Sequence, residues 1–339
     1  MPPTLRDIAE ATQTSVSTVS RVLAGGAKAA NMASNTRQRI LEVAQRLNYQ
    51  PNLAARALRL QRSHTIALVC RMSSPVYSRI AHLIDHRFYA RDYWLMYCDS
   101  NEDPTREAKF LRELVQRGID GAIIVPTGAD AAQIKTNLPD GYPIVMLQRH
   151  VEGLGPTVAS DMHQGAALLC QTLENAGARR IALITGPASV YNQHVQAQEM
   201  ERRMSVVWRF EGPLLKKTGR HAYQMLMRQD GLQFDAIVCT AAIHAHGLLQ
   251  AMPSIVSSGR TPILAVDDSM PFMHLLPIPI VCVVRNLTAL ANGCVNTLLA
   301  LLENQVAGAD KRVVPPVSLF PCDIEYNNAF AALLQRDES

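Results

Sequence analysis

The stretch that most constrains this chain is 5–23, LRDIAEATQTSVSTVSRVL, which predicts two short helices joined by a tight turn. Apolar residues recur at helical spacing on one face of each predicted helix. They are Leu5, Ile8 and Ala9 in the first helix, and Val19, Val22 and Leu23 in the second. Ser15 is a suitable N-cap, because its hydroxyl can accept a hydrogen bond from a backbone amide of the next turn.

The outer face of the second helix is small, polar and cationic. Its residues are Val16, Ser17, Thr18, Ser20 and Arg21. Such a helix can lie in the major groove of DNA with its N-terminal residues at base edges. The alternative is structural, since any two amphipathic helices joined by a polar turn give a similar pattern.

The charge is uneven along the chain. Residues 1–62 hold nine Lys or Arg against three acidic residues, a net +6, and the whole chain carries +4, so the rest sums to −2. A basic head on a near-neutral body predicts that only the head meets a polyanion.

Overall composition excludes several classes of protein. The chain has 339 residues, 48% of them hydrophobic and 18% charged, which is typical of a globular protein of two or three domains. No apolar run reaches the roughly eighteen residues of a membrane span, and the start lacks the order of a signal peptide. We therefore expect a cytoplasmic, nucleoid-associated protein. The seven cysteines have no CxxC spacing and predict buried, reduced thiols.

No motif indicates catalysis or a bound metal. The chain lacks HExxH, GxSxG, GxGxxG and the phosphate-binding loop. His244 and His246 lie two residues apart, so on a helix they face different directions. We expect no cofactor, no metal and no enzyme activity.

The first stretch resembles the helix-turn-helix of the lactose-repressor (LacI) family, and VSTVSRVL is nearly that family's recognition-helix signature. The resemblance continues through residues 48–52 (NYQPN) and 55–59 (ARALR), and weakens toward residue 325. Within the family, the long loop after the second helix and the stretch 76–125 look like the fructose-repressor and sucrose-repressor branch. One departure is Thr12-Gln13-Thr14, where the family usually has Ala-Gly-Val. An ordinary residue then stands where a positive φ is often wanted, and we expect a strained or altered turn.

The resemblance implies a DNA-binding domain over residues 1–60, with a hinge helix over 52–60 that folds in the minor groove. Leu58 would be the apolar wedge inserted into a central base step, and Ala55 is small enough for the groove floor. Phosphate contacts are expected from Lys28, Arg56 and Arg59, and base specificity from Ser17 and Arg21. The candidate DNA-binding residues are Ser15, Val16, Ser17, Thr18, Ser20, Arg21, Lys28, Tyr49, Asn52, Ala55, Arg56, Leu58 and Arg59.

From residue 65 onward, short apolar strands alternate with helical patterns. This order predicts parallel sheets covered on both faces, in two doubly wound α/β lobes. It looks like the family's periplasmic-binding-protein-like core, which implies effector binding and dimerisation over residues 61–339. Lobe one is predicted over about 62–158 and 286–314, and lobe two over about 159–285 and 315–339, with crossings near 158–162 and 285–290.

Ligands of doubly wound sheets bind beyond the carboxyl ends of the strands. Residues there that suit a sugar, or that match family positions, are Tyr77, Asp99, Ser100, Arg149, Gln196 and Asp267. Gln196 lies nearest the place of a family arginine, and Ala241-Ala242 replace the usual Asn-Asp pair. We expect a sugar or sugar phosphate held mainly by the first lobe.

These observations predict a ligand-gated transcription regulator of carbohydrate genes, most often a repressor in this family. It would act as a homodimer on a near-palindromic operator in double-stranded DNA, since the C-terminus lacks the leucine heptads of a tetramerising tail. The alternatives are a sugar-binding protein, a regulator whose core has lost small-molecule gating, and a sugar-processing enzyme.

Overall fold

The computed structural model describes residues 3–24, 32–50, 62–127, 131–252, 262–267, 270, 272–305 and 314–335. By its internal contacts the chain divides into two units, Met1–Ser63 and His64–Ser339.

The first unit is built on three helices, α1 (Leu5–Thr12), α2 (Val16–Ala24) and α3 (Ser34–Arg46). A capping box between Thr4 and Asp7 starts α1, which satisfies amides that the first turn leaves without partners. The buried core of this head is small and aliphatic. It consists of Ile8, Ala9, Val19, Val22, Ile40, Val43 and Ala44.

The turn between α1 and α2 has the geometry expected from its missing glycine. Gln13 adopts a left-handed conformation, with φ of 50°. The Thr12 hydroxyl donates to the Ile8 carbonyl over 2.7 Å and lies 2.8 Å from the Thr14 hydroxyl. The Arg39 guanidinium of α3 donates to the Thr12 carbonyl. Side-chain hydrogen bonds therefore hold a turn in which glycine would be less strained.

The sequence predicts Ser34 or Asn35 as the N-cap of a third helix, and Ile40, Leu41, Ala44 and Leu47 as its core face. The structure contradicts both cap candidates and one residue of that face. Neither Ser34 nor Asn35 is its N-cap, because the helix begins at Ser34 and its cap residue, Ala33, makes no side-chain hydrogen bond. Leu41, predicted to lie in the core, is exposed, and Val43 is buried instead. Residues 40, 43 and 44 share one helix face, whereas residue 41 is turned about 100° from residue 40.

The second unit alternates strands and helices. The strands are β1 (Thr65–Cys70), β2 (Trp94–Asp99), β3 (Gly121–Ile124), β4 (Ile144–Leu147), β5 (Thr157–Ser160), β6 (Arg180–Thr185), β7 (Ser205–Glu211), β8 (Ala236–Cys239), β9 (Ile263–Asp267), β10 (Ile280–Arg285), β11 (Val317–Phe320) and β12 (Cys322–Tyr326). The helices are α4 (Pro75–Tyr89), α5 (Pro104–Gln116), α6 (Ala131–Lys135), α7 (Met162–Asn175), α8 (Tyr191–Arg203), α9 (Lys216–Leu226), α10 (Ala242–Ala251), α11 (Leu287–Asn304) and α12 (Asn328–Leu334), with a 3-10 turn at Met273–Leu275.

The strands form two six-stranded sheets, which confirms the two-lobed α/β fold. The first sheet has the order β11-β5-β4-β3-β1-β2 and the second β12-β10-β9-β8-β6-β7. Among the described residues every strand pair is parallel except β10 with β12. Helices cover both faces of each sheet, and the central strands are almost wholly buried.

The strand near the C-terminus corrects the predicted lobe boundary. Residues 315–339 were assigned to lobe two, but β11 pairs in parallel with β5 of the first sheet. Phe320 packs against the first-lobe core. Pro321, which has no amide to donate to a strand ladder, separates β11 from β12 of the second sheet. The change of lobe therefore falls at this proline.

The chain crosses between lobes three times, once more than the two predicted crossings. It passes from β5 to α7 at Asp161, from β10 to α11 at Asn286, and from β11 to β12 at Pro321. The Gln164 side chain bonds both backbone groups of Cys322, at 3.1 and 2.8 Å, and so ties two crossings together. The strands β5, β7 and β12 were not predicted, and each lies at or near a sheet edge with mixed polar and apolar residues.

The seven cysteines all lie in the described ranges, where they are buried and form no disulfide bond with one another, as their apolar surroundings predict. Among the residues described, no helix combines the length and apolar character needed to cross a membrane.

Candidate DNA-reading helix and ligand cleft

The N-terminus of α2 is ordered by hydroxyl groups. The Thr18 amide donates to the Ser15 Oγ over 3.1 Å, which confirms Ser15 as the N-cap. The Ser15 Oγ also lies 2.8 Å from the hydroxyls of Ser17 and Thr18. This network fixes the side chains at the helix end that would meet base edges.

The outward face of α2 is open. Ser15, Ser17 and Arg21 are exposed, and Val16 retains 43% of its side-chain exposure. The Arg21 Nε donates to the Ser17 carbonyl over 3.2 Å, so its side chain lies back along the helix toward the N-terminus. Ser17 and Arg21 thus form one polar surface, with Thr18 and Ser20 partly buried beside it.

The other candidate DNA-binding residues divide into two groups. Tyr49 is half-buried against the head core, where it closes the end of α3. Lys28, Asn52, Ala55, Arg56, Leu58 and Arg59 lie outside the described residues, as does the hinge segment 52–60.

In the second unit the carboxyl edges of the two sheets face each other. The crossings leave the first sheet at the carboxyl ends of β5 and β11, and the second sheet at that of β10. Residues that follow β1 to β4 therefore share one wall of a cleft, as doubly wound sheets require.

That wall holds a charged pair. Arg149, after β4, donates to both carboxylate oxygens of Glu102, after β2, over 2.8 and 3.0 Å. Its Nη1 also donates to the Pro126 carbonyl over 2.8 Å, and the Arg71 Nε lies 4.0 Å from Glu102. The side chains of Arg149 and Glu102 are 12% and 26% exposed, so most of the pair is removed from water.

Several buried polar atoms surround this pair without a hydrogen-bond partner among the described residues. They are Ser100 Oγ, Glu107 Oε1, Thr127 Oγ1 and Arg149 Nε. The other Glu107 oxygen accepts a hydrogen bond from the Thr127 amide over 3.0 Å. Burial raises the pKa of Glu107 to about 7, although the Thr127 amide acts in the opposite direction. Unpaired buried polar atoms are costly, and a group of them is suited to a hydrogen-bonding ligand.

Two further candidates on this wall are largely engaged with the protein itself. Tyr77 is 9% exposed and packs in the first-lobe core, where burial raises its pKa, so little of its ring is open to a sugar. Asp99 accepts hydrogen bonds from the Met72 and Asn101 amides over 3.1 and 3.0 Å. Its carboxylate therefore holds two strand-end loops together.

The second-lobe wall is paired internally. Gln193 of α8 accepts from the Gly186 amide over 3.0 Å and donates to the Thr240 carbonyl over 3.0 Å. The Thr240 hydroxyl also bonds Gln193 and Thr185. Ala241 and Ala242 begin α10 without a side-chain cap. These strand-end groups consequently offer little to a ligand.

Of the second-lobe candidates, Gln196 lies among residues of its own lobe. Gln196 is buried, its Nε2 lies 3.4 Å from the Met162 sulfur, and its Oε1 has no partner in the described part of the chain. It lines a closed cavity of about 10 Å³ with Met200, Thr240 and Val283. Asp267 ends β9, at the carboxyl edge of the second sheet.

Sequence reasoning missed Glu102, Glu107, Thr127 and Gln193. The first-lobe candidates predicted from the sequence follow strands one, two and four, whereas Thr127 follows strand three. Glu102 stands three residues beyond β2 and would have been found by a wider window. Glu107 and Gln193 lie on helices, and no local pattern shows which way they point.

The histidines behave as structural residues. His244 is buried, with its Nε2 2.9 Å from the Pro213 carbonyl, and burial lowers its pKa. No group of three or more His, Cys, Asp or Glu suited to a metal ion occurs in the described ranges.

Comparison with known proteins identifies relatives of this chain by sequence. The chain is 31% identical to the sucrose operon repressor of Pediococcus pentosaceus over 187 residues, which is 55% of this chain and 56% of the repressor. The ribose operon repressor of Bacillus subtilis gives 31% over 193 residues, or 55% of each chain. This chain therefore spans about half the length of these curated relatives. The repressor PurR of Haemophilus influenzae is 23% identical over 91% of this chain and 94% of its own length.

Two solved structures share the fold. The lac repressor dimer bound to operator and the anti-inducer ONPF superposes with a TM-score of 0.81 at 20% identity, covering 97% of this chain and 99% of that one. The Cra transcriptional dual regulator of Pseudomonas putida, in complex with fructose 1-phosphate, gives 0.68 at 20% identity, covering 77% and 98%.

Family models cover both units. Residues 4–52 match the model of bacterial regulatory proteins of the lacI family, and residues 63–263 match that of periplasmic binding proteins and the sugar binding domain of the LacI family. The predicted resemblance is thereby confirmed, and the chain belongs to the LacI family.

Proposed function

We propose that this protein is a sequence-specific DNA-binding transcription regulator, acting as a repressor of carbohydrate genes. The observation that carries the proposal is the capped, open face of α2, on which Ser17 and Arg21 form one polar surface. The sucrose and ribose operon repressors among its relatives support the repressor assignment.

In the proposed complex, two heads of a homodimer bind the half-sites of a near-palindromic operator. Ser17 and Arg21 contact base edges, and each good contact contributes about 1–3 kcal/mol of discrimination. Lys28, Arg56 and Arg59 contact phosphates, so their contribution falls with salt whatever the sequence. Leu58 enters a central base step from the hinge, and Ala55 faces the groove floor.

The proposed effector is a sugar or sugar phosphate bound in the cleft, mainly by the first lobe. Arg149 and Ser100 face it from the first wall, with Thr127 and Glu107 beside them. Asp267 is the candidate contact of the second lobe. Asp99 and Gln196 act by holding neighbouring groups, which agrees with their hydrogen bonds.

The proposed mechanism is a rotation of one lobe against the other about the three crossings. Rotation changes the separation of the paired hinge segments, which alters operator affinity. Thermodynamic linkage then requires operator to change effector affinity by the same factor. A core that no longer responds to small molecules is the second candidate, favoured by the internally paired second wall.

We also propose that the protein acts at DNA in the cytoplasm and is not an enzyme. Turnover of any sugar by the purified chain would contradict that assignment. It would favour the sugar-processing alternative.

The test is a gel shift with the full chain at moderate salt. One lane series carries DNA from upstream of its own gene, and another carries a scrambled duplex of equal length. We expect a preference for the native DNA that is lost in Arg21→Ala and retained in Arg37→Ala, another exposed head arginine. Equal affinity for both duplexes would overturn the proposal.

A further inference from the structure

The pairing of Arg149 with Glu102 is unusual for a ligand site, because the protein supplies its own anion. The contact is bidentate, at 2.8 and 3.0 Å, and Arg71 approaches the same carboxylate at 4.0 Å. Two oxygens held in the fork of a guanidinium match the geometry with which arginine binds a carboxylate or phosphate ligand.

The loop that presents Glu102 is held in a disfavoured backbone conformation. Asn101 and Glu102 are consecutive left-handed residues, with φ of 52° and 58°, and neither is glycine. The partner strand end is fixed, since Gln148, with φ of 67°, makes two hydrogen bonds to Ser160 at 3.0 Å. Two consecutive strained residues thus present Glu102, whereas side-chain hydrogen bonds hold the strand end that precedes Arg149.

A second, independent observation indicates that a ligand belongs here. Ser100 and Glu107 are each about 1% exposed, and each has a side-chain oxygen without a partner in the described part of the chain. Arg149 Nε and Thr127 Oγ1 share that condition at the same strand ends. The site is thus short of hydrogen-bonding groups even though Arg149 is already paired with Glu102.

We propose that Glu102 is an internal substitute for the effector's anionic group, an inference that rests on the proposed function. The effector carries a phosphate or carboxylate, which displaces Glu102 and takes its place on Arg149 and Arg71. Hydroxyls of the same molecule satisfy Ser100, Thr127 and Glu107. A phosphate monoester is the better competitor, because it has nearly two charges at pH 7 and three terminal oxygens against two. A neutral sugar cannot replace the ion pair.

The test is Glu102→Gln in the full chain, measured by calorimetry. The probes are fructose 1-phosphate, glucose 6-phosphate, gluconate, inorganic phosphate and the uncharged parent sugars. Removing the internal competitor should tighten at least one anionic probe about tenfold, because the binding-competent fraction of the site rises. The parent sugars should show no gain. Comparison of phosphate esters with gluconate identifies the preferred anion.

The sign of the change distinguishes this role from direct ligand binding. If Glu102 instead accepts hydrogen bonds from ligand hydroxyls, Glu102→Gln weakens binding, and the proposal is overturned. It is also overturned if neither the wild type nor the variant binds any anionic probe. Glu113→Gln removes a half-buried carboxylate of α5 that pairs with neighbouring Lys109 and Arg117, and serves as the matched control.

A conservative variant separates loss of charge from loss of fold. Glu102→Asp keeps the charge, so its affinity for anionic probes should stay nearer the wild type than that of Glu102→Gln. Operator binding without ligand, measured for each variant, tests the proposed function separately. If the protein binds operator but fails the calorimetric test, only the role of Glu102 as an internal substitute is refuted, and the proposed function is not.

Discussion

The carboxyl edges of the two sheets have the same architecture but opposite chemistry. In the first lobe, strand-end loops bring Arg149 and Glu102 together and leave Ser100, Thr127 and Glu107 with unpaired polar atoms. In the second lobe, Gln193 satisfies the strand-end groups of Gly186 and Thr240. The first wall thus keeps unpaired polar atoms beside a charged pair, whereas the second wall pairs its strand-end groups with one another, although Gln196 Oε1 lacks a partner there. Two lobes of the same fold need not contribute equally to ligand binding.

The largest effect should follow from Arg149→Gln. Loss of the charged fork should weaken binding of the proposed effector at least about 100-fold, since charge-assisted hydrogen bonds contribute about 1.5–3 kcal/mol each. Calorimetry on the full chain measures this. Arg112→Gln, which removes an exposed arginine bonded to Asn137, is the control and should bind normally. Equal affinities of the two variants would show that the first wall is not the binding wall.

Glu107→Gln should change how stability depends on pH. Burial raises the pKa of Glu107 from 4.5 to about 7 in the folded protein, so the folded state holds its proton more tightly than the unfolded state. Its contribution to stability is therefore greatest below pH 4.5 and is lost as pH rises through 7, by about 3 kcal/mol.

Melting temperatures at pH 5 and pH 8.5 measure that loss. The wild type should lose more stability than Glu107→Gln between these two values, because the amide does not titrate. Identical losses would mean that Glu107 is ionised without penalty and that the first wall is less desolvated than its geometry indicates.

On the second wall, Gln193→Leu should mainly affect stability. The change removes the Gln193 partner of the Thr240 carbonyl and leaves the Gly186 amide with its weaker 3.4 Å bond to the Thr240 hydroxyl, which should cost about 2 kcal/mol. Chemical denaturation measures the loss, and effector affinity should stay within about threefold of the wild type. A large loss of affinity with little loss of stability would reverse the assignment of the two walls.

The smallest effect is a gain of stability from Ala241→Ser. Ala241 is the N-cap of α10 and makes no side-chain hydrogen bond. A serine hydroxyl there should stabilise the protein by about 0.5–1 kcal/mol, as measured by thermal unfolding. No gain would mean that the first-turn amides of α10 are not free to donate a hydrogen bond to a capping hydroxyl.

The residues of the first wall could be predicted from the sequence better than those of the second wall. Strand ends follow from apolar runs, so Ser100 and Arg149 could be placed by position alone. The alternating strands and helices predicted for the body are present. A strained turn was expected at Gln13 because this residue stands where the family usually has glycine, and the structure gives it a left-handed conformation.

What could not be predicted depends on contacts distant in sequence. Glu102 pairs with a residue 47 positions away, and Gln193 reaches Thr240 across another 47. The strands β5, β7 and β12, which lie at or next to a sheet edge, have no long apolar run. Pairing with their neighbours, rather than local pattern, therefore defines them. That β11 belongs to the first lobe likewise follows from its pairing with β5, which local sequence does not show.

The most direct test of ligand gating through the first wall is a fluorescence anisotropy titration of labelled operator. Operator affinity is measured for the wild type and Arg149→Gln, each with and without a saturating anionic sugar ligand. We expect the wild type to change its operator affinity at least about tenfold, a coupling of 1.4 kcal/mol. Arg149→Gln should retain the basal affinity and show no change. A wild type that binds the ligand without any change, or a variant that responds as the wild type does, would contradict the account.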